Sequence, residues 1–286
     1  MIGEAVSSFA LSICFLSLFQ AALVALPRPF PTALLARLQG RWWALLPPAS
    51  IVVVIGAVGA YAASADALTY LALVGVPPLA AVALARLVPG ARPALALAVI
   101  PLFAAAWSWT GHLGGELAAL LLSALACTTL GWMLACVVAP RWLKLGIYAM
   151  ALVDACLVAG DLLQGPNAVL SAAVPAAGLP SLQAVHFGSA AMGFGDLFIA
   201  ATLGALLADR LRVQLAAACL AAILGLGFNL LFLVVNELPT TVPIALALAA
   251  LELHQRRGAR RRREPERPTG EAQRARRSMP QLVDSA

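Results

Sequence analysis

Two aspartates lie inside neighbouring apolar segments, Asp154 in GIYAMALVDACLVAGDLL and Asp196 in AAMGFGDLFIAATLGALLA. A carboxylate at the centre of a bilayer costs about 3 kcal/mol or more, so each reads first as a functional residue. Two close carboxyls cannot both ionise cheaply in a low-dielectric setting; one keeps its proton and the other acts as base. The base takes a proton from a bound water, whose oxygen attacks a scissile carbonyl. The acid hydrogen-bonds the developing oxyanion, and a proton reaches the leaving amine. This is aspartyl-protease chemistry, and it requires no metal, cofactor or covalent intermediate.

The second acid is framed by glycines, Gly193-Phe194-Gly195-Asp196. Without side chains, Gly193 and Gly195 let a neighbouring helix or a substrate backbone approach closely. Small-residue pairs also serve plain helix packing; the second buried acid one span earlier is what turns GxGD towards catalysis. Asp161, one residue past Gly160, is an alternative partner for Asp196. No HExxH zinc motif is present, and no intramembrane histidine accompanies a nucleophilic serine. His112, His186 and His254 fall at predicted segment ends, where solvated or capping roles are the default.

The elements that must position these acids are helices. The 286 residues are 62% hydrophobic and 11% charged, and they contain repeated apolar runs long enough to span lipid. The long Ala/Leu/Val runs exclude a barrel of short alternating strands. The reading is an all-α polytopic membrane protein with nine spans near 5–26, 44–63, 67–86, 93–109, 116–138, 145–163, 189–208, 214–235 and 239–254. Pro77-Pro78 break the third and Pro101 lies in the fourth. The first run has no basic flank ahead of it, only Glu4, and reads as a retained span. Cys14, Cys127, Cys136, Cys156 and Cys219 all fall inside spans without metal-ligand spacing, as packing residues do.

Charge then orients the chain. Arg28, Arg37 and Arg41 follow the first span, Arg86 and Arg92 the third, Arg141 and Lys144 the fifth, Arg210 and Arg212 the seventh. The remaining ten arginines follow the ninth, so all 19 basic residues share one side. By the positive-inside rule that side is cytoplasmic, with the N-terminus outside and the C-terminus inside. Three parts follow: five spans over 1–144, a catalytic set of four over 145–254, and an unstructured basic cytoplasmic tail over 255–286. Anionic lipid is the expected partner of that tail, rather than nucleic acid, for which no aromatic or fold support exists.

In this frame Asp154 lies about 15 Å from the cytoplasmic end of its helix, Asp196 about 20 Å and Asp161 about 25 Å. The first two therefore match in depth. The uncharged stretch 164–186 contains three prolines, which oppose one straight helix. It reads as an outer-face segment that either gates lateral substrate access or simply links two spans. Asn229, in the eighth span, reads as a hydrogen-bonding residue between helices.

At these residues the chain resembles the presenilin and signal peptide peptidase family of intramembrane aspartyl proteases. Gly193-Phe194-Gly195-Asp196 is similar to its seventh-span motif, and Asp154 with Gly160 reproduces its sixth-span spacing. The resemblance implies nine spans, catalysis by Asp154 and Asp196, support from Gly193, Phe194 and Gly195, and no cofactor. It also implies transmembrane peptide or protein substrates, and a divergent bacterial member in the inner (plasma) membrane. With the C-terminus inside, the implied substrates are signal-peptide-like or type II helices. Val153 stands where the family has tyrosine, and the ninth-span Pro-Ala-Leu is absent. Pro239 matches its proline by position and Pro243 by depth. Rival readings are a prepilin-peptidase-like GxGD protease, a proton-coupled transporter using buried acids as a relay, and a catalytically dead scaffold. Phe198, where the prepilin enzymes carry a basic residue, disfavours the first. The lack of a central acid in the first five spans disfavours the second.

Overall fold

Apolar runs can satisfy their backbone N–H and C=O groups in lipid only by pairing them internally, and about 80% of the structure is helical. The computed structural model describes residues 2–30, 35, 37–61, 63–233 and 238–263. In chain order the α-helices are α1 (Ile2–Ala25), α2 (Leu46–Ala60), α3 (Ala63–Val82), α4 (Val99–Ser108) and α5 (Leu113–Val137). They continue as α6 (Pro140–Ala159), α7 (Gln164–Ala172), α8 (Phe194–Leu207), α9 (Leu211–Asn229) and α10 (Thr241–Arg263). Short 3-10 segments lead into α2 (Arg41–Leu45) and α4 (Pro93–Ala98), and a π-helical turn (Ala83–Leu87) extends α3.

Among the described residues, six stretches are long and apolar enough to cross a membrane: Ser7–Ala25, Arg41–Ala60, Ala63–Leu87, Leu113–Val137, Pro140–Ala159 and Leu211–Phe232. The chain is an integral membrane protein. Pro93–Ser108 and Phe194–Leu207 are apolar but shorter. Among the described residues a helix lies within each of the nine expected segments, six of them in stretches long enough to span, and three expectations are corrected. Pro77 and Pro78 do not break α3, which runs through both before its π-helical turn; neighbouring helices hold such a segment together. As its three prolines implied, the stretch 164–186 is not one straight helix: it divides into α7, a 3-10 turn at Ala176–Gly178 and a strand. Residues 255–263, expected as unstructured tail, continue α10, since an existing helix accepts arginine readily and favours basic charge at its C-terminal end. The rest of that tail, 264–286, and the last residues of the eighth span, 234–235, lie outside the described residues.

The third correction matters most. The segment 189–208 is not one helix: strands β1 (Ala184–Phe187) and β2 (Ala190–Gly193) pair antiparallel, and α8 starts only at Phe194. Ala184 faces Gly193 and Phe187 faces Ala190 in the register. Gly188 has φ +59°, which suits the turn of a two-residue hairpin loop. The loop is held from both sides. Gly188 N–H donates to Glu116 Oε2 at 2.8 Å, and Ser189 N–H donates to Ser12 Oγ at 3.3 Å.

Packing centres on α5, the most buried of the six long stretches. It meets α3, α4 and, most extensively, α8; α1 packs on α8 and α9, and α2 on α6. Gly131 lets α5 and α8 touch backbone to backbone, since a Cβ there would lie 2.7 Å from Thr202 N. The basic connections are tied to one another at one end of these helices. Arg28 N–H donates to Leu87 O at 2.8 Å, Gly40 N–H to Val137 O at 2.9 Å, and the buried Gln214 amide to Pro27 O at 2.8 Å. The hairpin loop, with Glu116 at the start of α5, occupies the opposite end of that helix. These residues belong to a unit spanning Met1–Leu248; a second unit begins at Ala249, and its described part is the C-terminal half of α10.

Candidate active site

Asp196 sits in the first turn of α8, not in the middle of a helix. Strand β2 ends at Gly193, which is extended (φ −69°, ψ 149°) and serves as the N-cap. The Asp196 side chain reaches back to accept the Gly193 N–H at Oδ2, 3.1 Å away. A first-turn carboxylate satisfies an amide that lacks an intrahelical partner and meets the positive end of the helix dipole. Part of the Asp196 surface remains accessible.

Asp154 projects from the middle of α6 and is buried, with 6% of its surface exposed. Its partner comes from the other end of the sequence: Thr241 Oγ1 donates to Asp154 Oδ2 at 2.6 Å. The Thr241 backbone amide also faces this carboxyl. Thr241 is the first residue of α10. Both acids therefore lie at helix N-termini, Asp196 at that of its own helix and Asp154 at that of α10. The two acids are close enough for the charge of Asp154 to act directly on Asp196. Two helices thus deliver a carboxyl pair to one place, each carboxyl with one oxygen already held.

The glycines act by allowing proximity, since neither has a positive φ. A Cβ on Gly195 would stand 3.2 Å from Met150 Cε, one helical turn before Asp154, so this glycine is where α6 and α8 meet. A Cβ on Gly193 would stand 3.2 Å from Asp196 Oδ2. Phe194 packs against the buried cluster that includes Val76, Ala80, Leu122 and Leu182. Its carbonyl accepts the Cys127 thiol at 3.7 Å, and this fully buried Cys127 also lies within range of the Asp196 charge.

Asp161 is not brought to the pair. It follows the Gly160 cap of α6, is exposed, and adopts a left-handed backbone (φ 53°) that aspartate tolerates better than most residues. Pro239 and Pro243 flank the contact that matters. Pro239 precedes α10, and Pro243 lies in its first turn, where the missing N–H removes no intrahelical bond. The residues between them supply the chemistry: Thr241 binds Asp154, and the Thr240 hydroxyl faces Asp196 without a well-formed hydrogen bond.

Gln20 of α1 was not singled out by sequence. Its buried amide donates to Asp196 O at 3.0 Å and to Thr240 O at 3.3 Å. The available signal was an amide within an apolar span, which lipid cannot satisfy. Asn229 meets its expected partner class, exchanging hydrogen bonds with Ser17 across α1 and α9 at 3.0 and 3.2 Å. Comparison of the chain with protein-family models, with curated proteins and with solved structures gives no match.

Proposed function

We propose that the chain is an intramembrane aspartyl protease that hydrolyses peptide bonds within transmembrane segments. The observation that carries this reading is the meeting of Asp154 and Asp196 inside an apolar helical protein, each fixed at Oδ2 and the second partly accessible. A pair of carboxyls so held needs little reorganisation when charge develops at a tetrahedral centre.

The steps follow from the two acids. The ionised carboxyl removes a proton from a water, and the water oxygen bonds to the scissile carbonyl carbon. The protonated carboxyl passes its proton to the carbonyl oxygen, giving a neutral gem-diol. Collapse transfers a diol proton to the nearer carboxylate and a carboxyl proton to the nitrogen. The C–N bond then breaks to give an acid and an amine, with the pair again sharing one proton. Thr241 and Gly193 keep each Oδ2 in place while the other oxygens do this work.

The hairpin supports the choice of a peptide substrate. Among the described residues β1 and β2 pair only with each other, and β2 leads directly into the Asp196 turn. Strand edges in an apolar setting require hydrogen-bonding partners. An extended substrate segment supplies them by strand addition and arrives beside the acids. In the orientation favoured by the basic connections, with the C-terminus cytoplasmic, the substrates are signal-peptide-like or type II helices. Anionic lipid of a bacterial plasma membrane is the partner of the basic C-terminal tail.

The test is cleavage of a fluorogenic transmembrane peptide by purified protein in detergent or nanodiscs. Asp154→Asn and Asp196→Asn are each expected to abolish turnover while leaving the protein folded. Wild-type-like cleavage by both variants would sink the proposal. Turnover against pH should be bell-shaped, because one carboxyl must be ionised and the other protonated.

A further inference from the structure

The first helix carries a row of buried polar side chains, Ser12, Ser17 and Gln20, in an otherwise apolar run. Each reaches a different part of the C-terminal half: Ser12 the hairpin loop, Ser17 Asn229 of α9, and Gln20 the acid pair. The Gln20 contacts differ in kind from the other two. A primary amide has two N–H donors, and the contacts here are to the carbonyls of Asp196 and Thr240. Both partners are acceptors, so the amide can face them only with its nitrogen.

That bridge has a geometric consequence. Asp196 belongs to α8, and Thr240 immediately precedes α10, whose first residue holds Asp154. The Gln20 amide thus joins the backbone at one acid to the backbone one residue from the other acid's donor. On the reading of the pair as a protease dyad, we infer that Gln20 is a positioning residue. It sets the spacing between the start of α8 and the Thr240-Thr241 segment, and through Thr241 it sets the orientation of Asp154 against Asp196. It touches neither carboxyl, so its effect appears in how well the dyad is assembled and not in substrate affinity.

The experiment is steady-state kinetics on Gln20→Met, which keeps the volume and removes both donors. Thr241→Val, the double variant and Asp154→Asn are measured beside it, all per folded protein after size exclusion. Misplacement of reacting groups by a fraction of an ångström lowers turnover steeply, so Gln20→Met is expected to lower kcat about 10–100-fold with KM nearly unchanged. The limbs of its pH profile should move, because the mutual disposition of the acids has changed. Gln20 acts through Thr241, so the double variant should be little worse than Thr241→Val alone. Gln20→Asn keeps both donors on a stem one methylene shorter; it should fall between Gln20→Met and wild type, and it serves if Gln20→Met does not fold.

Two failures are distinguishable. If Asp154→Asn is inactive while Gln20→Met keeps wild-type kcat and pH profile, the positioning role is wrong and the dyad stands. The same holds if the losses in the double variant multiply independently. If Asp154→Asn cleaves like wild type, or wild type does not cleave, the dyad reading falls and the role of Gln20 falls with it.

Discussion

At the scale of single residues, the site depends on a few close approaches that differ in how much they can yield. A methyl group at Gly193 would press on the Asp196 carboxylate itself, whereas one at Gly195 would press on the flexible end of Met150. Gly193→Ala is therefore expected to lower cleavage about 10-fold or more, and Gly195→Ala by clearly less. Initial rates on one reporter peptide rank them, and the reverse order would contradict the assigned contacts. The acids were legible in the sequence because a charge in an apolar run is improbable without a task. Their helpers were not. Thr241 and Gln20 have ordinary neighbours in the chain, and their value comes from partners 87 and 176 or more residues away. No local pattern encodes such a meeting.

At the scale of elements, the hairpin decides where the second acid goes. Nothing in SAAMG (189–193) alternates strongly or carries β-branched residues, so it reads as the beginning of the following helix. The loop contacts and the extended Gly193 cap override that reading. Glu116 accepts the Gly188 amide from the head of α5, and a hydrogen bond to a charged group is worth about 1.5–3 kcal/mol. Glu116→Ala should therefore speed hydrogen exchange of the strand amides about 10-fold or more, while Glu116→Gln keeps an acceptor and changes less. Exchange measured on a peptide covering 184–193 checks this without reference to catalysis. Equal protection in all three proteins would show that the loop is held by something else. The helices, by contrast, were visible from apolar run length alone, because lipid leaves the backbone few choices.

At the scale of the molecule, the basic connections meet at one end of the helices while the hairpin loop lies at the other end of α5. If that basic end faces the cytoplasm, an impermeant maleimide added outside intact cells should label Ser189→Cys and spare Asp209→Cys, in a background lacking the five native cysteines. Labelling of Asp209→Cys alone would reverse the orientation. The polar row on α1 has a last consequence, for biosynthesis. Ser17 and Gln20 are made long before their partners, Asn229, Asp196 and Thr240. Helix α1 must therefore wait in the membrane with its amide unmatched until the segments carrying Asp196 and Thr240 have been made. A chain cut short before Asp196 would keep that unmatched amide, a mark by which quality control can tell an unfinished copy from a finished one.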